Sequence, residues 1–242
     1  MTYDLTVWPT FYHLAREVEY AGPRDTPIYR QDGSVIATVP RHFVDNLCVE
    51  GSGKLADGRV INTAGSCSYG PACLTGSPEC YHTVDAARYP WGVGVNGIPL
   101  RPLRSIAVDR HQTPIPYGSD VYIPRFDGLR IPAIDGIGGF VHDGHFTAED
   151  TGGWIRGNHI DIFAGTLGMY HALDRLVPTR TQLAARVTPG GGTAASRSIK
   201  PLLVSVGLAG AILGGAYLFV NRKKKGPGKY LGLLAALPAI PP

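Results

Sequence analysis

Residues 150 to 161 read Asp150-Thr151-Gly152-Gly153-Trp154-Ile155-Arg156-Gly157-Asn158-His159-Ile160-Asp161. Asp-Thr-Gly and Gly-Gly are turn-forming sequences, so two aspartates frame a tight turn. A third aspartate, Asp109, lies in the same stretch, which extends from Ile106 to Gly165. Carboxylates held near one another in a partly dry groove have pKa values that are pushed apart, so one stays protonated while another stays charged. This pairing is the one needed to break a glycosidic bond.

Short stretches with β-propensity surround this turn and are separated by glycine and proline. The predicted strands are Thr10 to Leu14, Ser34 to Thr38, Val60 to Thr63, Ser105 to Val108, Asp120 to Ile123, Phe146 to Glu149 and His159 to Phe163. Helical spacing of apolar residues occurs in Thr166 to Leu176 and in Pro40 to Leu47. Many short strands with turn signals every dozen residues or so predict a mainly β fold built as a small closed barrel.

Three segments carry a resemblance to a known family. They are 105–109 (SIAVD), 113–123 (TPIPYGSDVYI) and 148–163 (AEDTGGWIRGNHIDIF). In this order they resemble the 3D (three-aspartate) domain, which is shared with lytic transglycosylases of the MltA type. Residues 49–60 (VEGSGKLADGRV) resemble the segment that precedes the domain in such proteins. The resemblance covers about 44–165 and implies a six-stranded double-psi β-barrel, here with insertions.

The resemblance also implies roles for the three aspartates. Asp161 corresponds to the catalytic acid and base, and Asp150 is its partner on the barrel. Asp109 is expected to have a structural role, in which its carboxylate accepts backbone N–H bonds and holds a loop of the barrel. The implied reaction is cleavage of the MurNAc–GlcNAc β-1,4 bond of peptidoglycan glycan strands with a 1,6-anhydro product. It needs no metal and no cofactor.

Four further residues are predicted to contact the sugar. Gly152 and Gly153 allow the backbone to approach a bulky substrate, and Trp154 offers an indole face on which a pyranose ring can stack. Glu50 is predicted to line the same cleft. The alternatives are a barrel-core or rim position for Trp154 and a plain turn for Glu50.

Other functional classes are weighed on specific residues. Asp150-Thr151-Gly152 is also the core triplet of aspartic proteases, but a single triplet would require a homodimer. His142, Asp143 and His145 have the composition of a metal site, although His-Asp-Gly-His more often forms a turn. The main alternative function is a non-catalytic, cell-wall polysaccharide-binding or structural membrane protein.

Four cysteines, Cys48, Cys67, Cys73 and Cys80, fall within a short part of the chain. Their spacings do not fit a zinc knuckle, and no Cys-x-x-Cys pair occurs. Two disulfides are therefore favoured over structural zinc or free thiols, with the pairing left open. Disulfides indicate an oxidising location.

The charge of the chain is unevenly distributed. The formal net charge is +4, from 23 basic and 19 acidic residues. Residues 188–242 hold seven of the basic residues and no acidic one, so the first 187 residues have a net charge of about −3. A mildly acidic body argues against a nucleic-acid partner.

The basic tail contains an apolar segment. Leu202 to Val220 has Tyr217 as its only ionisable residue and as a helix spans roughly 29 Å, which matches a bilayer core. The basic cluster Arg222 to Lys225 follows it, and this flank favours a membrane span over a buried soluble helix. Gly210 and Gly214 form a small-xxx-small pair that predicts self-association of spans.

The sequence thus predicts a membrane-anchored enzyme whose body faces the cell wall. Because Met1 to Leu5 does not resemble a secretory signal, delivery by a phage particle or use in cell lysis is also expected. The predicted divisions are a 3D/double-psi barrel catalytic domain at 1–187 (core about 44–165, Cys-bearing insertion 65–82), a Gly-rich linker at 188–200, a transmembrane helix at 201–221 and a basic, apolar tail at 222–242.

Overall fold

The computed structural model describes residues 1–73 and 76–190, which belong to one compact unit. Within these residues the chain forms strands and two α-helices. The strands are β1 (Tyr3–His13), β2 (Ala15–Arg16), β3 (Arg24–Tyr29), β4 (Val35–Pro40), β5 (Ser52–Lys54), β6 (Val60–Ser66), β7 (Glu79–Val84), β8 (Ser105–Val108), β9 (Asp120–Ile131), β10 (Phe140–Thr151), β11 (His159–Gly165) and β12 (Leu183–Thr188). The helices are α1 (Arg41–Glu50) and α2 (Leu167–Leu176).

Six of these strands close into a barrel in the order β1-β11-β8-β10-β9-β12. The pairs β1–β11 and β8–β10 are parallel, and the other neighbouring pairs are antiparallel. The prediction of a mainly β fold with a closed six-stranded barrel is confirmed. Two of its strands, β1 and β12, lie outside the 44–165 stretch that carries the resemblance.

Side-chain alternation along the strands separates the barrel core from an outer face. Ile160 and Ile162 of β11 point into the core, as do Ile106 and Val108 of β8. Between them, Ala107 points to the opposite face, where it packs with residues outside the barrel core. Successive side chains of a strand alternate between faces, so Asp161 shares the outer face with Ala107.

A β-bulge in β10 changes this alternation just before the Gly-rich turn. Ala148 pairs with Ile106, yet the next residue of β8, Ala107, pairs with Asp150 rather than with Glu149. A bulge places two residues opposite one and thereby re-aims the side chains that follow. Ala148 therefore points into the core while Asp150, two residues later, points to the outer face.

The second lobe, residues 15–84, covers this outer face. It contains a four-stranded sheet of order β2-β5-β6-β7, the hairpin β3–β4 and helix α1. Phe43, Val44 and Leu47 of α1 pack into a separate hydrophobic core. Gly51 ends the helix in the left-handed conformation, and its N–H donates to the Leu47 carbonyl at 2.9 Å.

Two disulfides pin the second lobe. Cys48 of α1 is bonded to Cys73, and Cys67 is bonded to Cys80. The disulfide prediction is confirmed, and the structure supplies the pairing. Because Cys48 lies two residues before Glu50, its bond to Cys73 ties down the helix end that carries this carboxyl.

Within the described residues, 1–73 and 76–190, no helix is both long enough and apolar enough to span a membrane. The predicted span at 201–221, the pair Gly210 and Gly214, and the basic tail lie outside the described residues.

Candidate active site

Asp161 and Asp150 occupy the same row of the barrel wall. Asp161 pairs with Ala107 on one side of β8, and Asp150 pairs with Ala107 on the other. Neighbouring strands lie about 4.8 Å apart, so the two backbone positions are separated by roughly 10 Å. Ala107 itself is buried in a cluster with Tyr12 and Phe163. Thr10 of β1 extends the row, since it pairs with Asp161.

The Asp161 carboxyl has the properties of a proton carrier. Burial, the largest cause, and the charge of Asp150 together raise its pKa to about 7, against the opposing effect of the Thr10 side chain. Its Oδ1 atom is buried and has no hydrogen-bond partner among the described residues. An unpaired buried carboxylate oxygen is costly, which favours the protonated acid near neutral pH.

Asp150 is held differently. Tyr12 Oη donates a hydrogen bond of 2.7 Å to Asp150 Oδ2. Burial raises the pKa of Asp150 to about 6, while the bonds from Tyr12 and from the Thr151 backbone oppose this shift. Asp150 therefore loses its proton before Asp161 does. At a pH between 6 and 7 the pair holds one charge and one proton, because the two carboxyls have different surroundings.

Glu50 is a third acidic group on this face. The His13 N–H donates to Glu50 Oε2 at 2.8 Å, and His13 Nδ1 lies 3.3 Å from Oε1. Burial raises the pKa of Glu50 to about 8, and burial lowers the pKa of His13 to about 4. At pH 7 the contact thus joins two neutral groups rather than an ion pair.

Asp109 is placed apart from these carboxyls and caps two loops. Its Oδ1 accepts from His111 N–H and its Oδ2 accepts from Gly157 N–H, each at 2.9 Å. These backbone bonds lower the pKa of Asp109, so the group is a carboxylate. Gly157 has a φ of +57°, in the left-handed region. Asp109 thereby fixes the loop between Asp150 and Asp161.

Two clefts lie between the barrel and the second lobe. The first has a volume of about 330 Å³, and Asp161 and His159 line it beside Gly152, Gly153 and Trp154. Val49 and Glu79 form its opposite wall. The Trp154 side chain is 61% exposed, so its indole face is available to a ligand.

The second cleft has a volume of about 340 Å³ and contains Asp150 together with Glu50. Its second-lobe wall is polar, with Ser52 and Asn62 joined by a hydrogen bond of 2.8 Å. The structure therefore places Glu50 beside Asp150, and Gly152, Gly153 and Trp154 beside Asp161.

The glycine at position 152 has a packing reason. A Cβ atom there would lie 2.8 Å from Ile155 Cγ1, whereas a Cβ atom at Gly153 would meet nothing within 4 Å. The turn thus folds back on Ile155, and Gly153 leaves the floor of the cleft open.

Several residues of the site were not predicted as site residues. Thr10, Tyr12 and His13 come from β1, and His159 opens β11. His159 Nε2 lies 2.8 Å from Thr10 Oγ1, and the imidazole stacks on Trp8 at 3.7 Å between ring centroids. The apolar pattern of β1 was its only signal in the sequence. It gives no indication that Thr10 and Tyr12 contact residues more than 130 positions later in the chain.

Comparisons with known proteins agree with this architecture. Residues 104–171 match the family model of the 3D domain. The crystal structure of Escherichia coli MltA with bound chitohexaose is similar to this chain, with a TM-score of 0.54 and 18% sequence identity over 75% of this chain and 71% of that chain. A membrane-bound lytic murein transglycosylase from Agrobacterium tumefaciens has a TM-score of 0.47 and 14% identity over 76% and 73% of the two chains. The comparison with curated proteins finds no match. At this identity the likeness to MltA shows a shared fold.

Proposed function

We propose that this protein is a peptidoglycan lytic transglycosylase that cleaves the MurNAc–GlcNAc β-1,4 bond and leaves a 1,6-anhydro product. One observation carries the proposal: Asp161 and Asp150 flank Ala107 on one face of the barrel, each lines a cleft, and their pKa values are about 7 and about 6. The 3D domain and the fold shared with MltA support it. The two parallel strand pairs support the finer assignment of a double-psi barrel.

The proposed reaction uses one carboxyl twice. Protonated Asp161 donates its proton to the glycosidic oxygen, the C1–O bond breaks, and positive charge develops at C1 of the MurNAc ring. Asp161, now a carboxylate, takes the proton from the C6 hydroxyl of the same sugar. The C6 oxygen then bonds to C1 and closes the anhydro ring. Asp161 therefore ends the reaction protonated, as it began, and no water is consumed.

Asp150 is proposed to act through its charge. When ionised, it raises the pKa of Asp161 and stabilises the positive charge that develops at C1. Tyr12 keeps the Asp150 carboxylate in place during this step. The site is thus proposed to pair a protonated acid, Asp161, with a charged partner, Asp150.

Substrate binding is proposed to use both clefts. Trp154 stacks on a pyranose ring in the first cleft, and Gly152 and Gly153 allow close approach of the chain to the sugar. Glu50, neutral at pH 7, donates or accepts hydrogen bonds in the second cleft. The chitohexaose bound by E. coli MltA is a β-1,4 glycan, which supports a glycan as the ligand of this groove.

The decisive test is the chemistry of the products. Purified protein is incubated with isolated peptidoglycan, and the released muropeptides are analysed by mass spectrometry. We expect 1,6-anhydro ends. Reducing ends would mean hydrolysis, which contradicts a transglycosylase. Binding of the polysaccharide without any product would support the alternative, a non-catalytic wall-binding protein.

We also propose that the chain is anchored in a membrane, with its body facing the cell wall. The apolar segment 202–220 and the basic cluster that follows it support this. Close approach of two copies through Gly210 and Gly214, and delivery by a phage particle or use in lysis, are further predictions of the sequence. Fractionation with protease protection of sealed vesicles tests the anchor and its orientation.

A further inference from the structure

The Thr10 hydroxyl lies between two groups that compete for its proton. Its short hydrogen bond, 2.8 Å, joins Oγ1 to His159 Nε2. On the neighbouring strand its register partner is Asp161, and its side chain acts on the Asp161 carboxyl. Thr10, His159 and Asp161 all line the first cleft. A hydroxyl has one proton to donate and lone pairs with which to accept.

The imidazole of His159 is fixed in place and neutral. It stacks face to face on Trp8, with 10° between the ring planes. Burial lowers its pKa to about 4, against an opposing effect of the Trp154 backbone. A backbone group that favours ring protonation is a carbonyl acceptor, because an N–H donor would do the reverse. In a neutral imidazole one nitrogen donates and the other accepts. We place the ring proton on Nδ1, which leaves Nε2 as an acceptor for Thr10.

We propose that His159 is a positioning residue that acts on Asp161 through the Thr10 hydroxyl. While Asp161 is protonated, Thr10 donates to His159 Nε2 and its lone pairs face the acid. When Asp161 becomes a carboxylate, the Thr10 hydroxyl turns and donates to it, and Nε2 loses its bond. His159 thus disfavours the ionised form of Asp161, because its Nε2 atom is a second acceptor for the proton of the Thr10 hydroxyl.

This inference rests on the proposed function, because the switch matters only if Asp161 alternates between acid and base. No covalent bond changes in it. The hydroxyl rotates about the Cβ–Oγ1 bond in step with the charge of Asp161. The acid form is favoured before cleavage, and the carboxylate gains a donor at the moment it is formed.

Other titratable groups face this network and stay constant in the test. Asp150, Glu50, Tyr12 and Tyr170 surround Asp161. Arg180 is the charged group that acts on His159. Substitutions at Thr10 and His159 that add no charge leave all of these in place.

The test is a titration of the Asp161 carboxyl by carbon-13 NMR in the full-length protein. His159→Phe keeps the stack on Trp8 but removes the acceptor, so Thr10 donates to Asp161 at all times. We expect the Asp161 pKa to fall by about one pH unit, the effect of one hydrogen bond to a charged group. The alkaline limb of the pH profile for peptidoglycan cleavage moves down by the same amount.

A double-mutant cycle separates this route from a direct effect. In a Thr10→Val background, His159→Phe leaves the Asp161 pKa unchanged if the influence passes through the hydroxyl. No change in the wild-type background, or an equal change in both, overturns the proposal. The NMR result does not require turnover, so a protein that fails to cleave peptidoglycan contradicts the proposed function and leaves this test intact.

A measurement on the unmodified protein covers the case in which a variant does not fold. Nitrogen-15 shifts of the His159 ring at pH 7 report its tautomer. We expect Nδ1 to carry the proton and Nε2 to be an unprotonated acceptor. A proton on Nε2 would make it a donor to Thr10 and would overturn the proposal.

Discussion

Tyr12 and Asp150 are joined across the barrel wall by a hydrogen bond of 2.7 Å from the phenol to Oδ2, although 138 residues separate them in the chain. Burial raises the pKa of the Tyr12 phenol well above its ordinary value, so this group is a donor at every physiological pH. The bond therefore stabilises Asp150 as a carboxylate.

Tyr12→Phe is expected to raise the pKa of Asp150 and to lower cleavage of peptidoglycan roughly tenfold, because a hydrogen bond to a charged group is lost, an effect of about 1.5 kcal/mol. Carboxyl titration by NMR and kcat/KM at pH 6.5 check both effects. Tyr20→Phe is the matched control, since its ring packs on Phe43 in the second lobe. An Asp150 pKa that stays at the wild-type value would contradict the assigned role.

Asp161→Asn is expected to abolish anhydro product while the fold is kept, because the amide is nearly isosteric but carries no transferable proton. Asp150→Asn is expected to leave residual activity, since it removes a charge rather than the proton carrier. An active Asp161→Asn protein would remove the assignment.

In the wild type, kcat/KM should follow a bell-shaped pH profile with limbs near 6 and 7.

Stability is expected to fall as the pH rises from 6.5 to 8.5. Folded-state pKa values of about 7 for Asp161 and about 8 for Glu50 lie above their unfolded values, so the folded chain holds the extra protons and loses this advantage as they dissociate. The loss is on the order of 2 kcal/mol. Denaturant unfolding measures it. Glu50→Gln should flatten the dependence, and an unchanged slope in that variant would be inconsistent with the buried neutral carboxyl.

The lowered pKa values of His13 and His159 do not affect the pH dependence of stability between about pH 6.5 and 8.5. Both histidines have folded-state values of about 4, so they make stability rise between about pH 4 and 6.5. Above pH 6.5 they are neutral in both states.

Trp154→Ala is expected to raise KM for glycan strands several-fold with little change in kcat. The side chain is 61% exposed, so its removal should alter the free energy of unfolding by no more than about 0.5 kcal/mol. Isothermal titration with a chitooligosaccharide measures the loss of binding. Val35→Ala, an exposed apolar site on the β3–β4 hairpin, is the control for surface truncation.

Asp109→Asn is expected to lower the melting temperature, because an amide oxygen replaces only one of the two acceptor atoms that bind His111 and Gly157. Activity per folded molecule should stay within a few-fold of wild type. Asp32→Asn, in an exposed turn of the second lobe, is the control. Complete loss of activity in a stable Asp109→Asn protein would instead assign this carboxylate to the chemistry.

Local pattern was sufficient to predict much of the barrel. Alternating apolar residues in Ser105–Val108 and His159–Gly165 gave strands at nearly the observed bounds, and the spacing in Leu167–Leu176 gave α2. Strand β12 was missed because two of its six residues are alanines, which give only a weak alternating signal. Its inward residues, Leu183, Ala185 and Val187, nevertheless close the barrel core.

The candidate site was predictable only in part. Asp150, Asp161 and the Gly-rich turn were identified because they are close in sequence, and Asp109 was identified from the order of the segments that resemble the 3D domain. Thr10, Tyr12 and His159 were not assigned to the site, because their roles depend on strand pairing between distant segments. The separate clefts of Asp161 and Asp150 also follow from the second lobe, whose position no local pattern reports.

The bulge between Ala148 and Asp150 makes residue count, rather than residue type, a condition for the site. Along each strand, side chains alternate between the two faces of the barrel wall. The extra residue at Glu149 shifts this alternation by one position for the residues between it and the turn. Inserting a single amino acid between Glu149 and Asp150 would move Asp150 opposite Val108, where side chains point inward among aliphatic residues, and would leave Tyr12 without its acceptor. In this segment a one-residue insertion therefore displaces the carboxylate from the site, even though every named side chain of the constellation is still encoded.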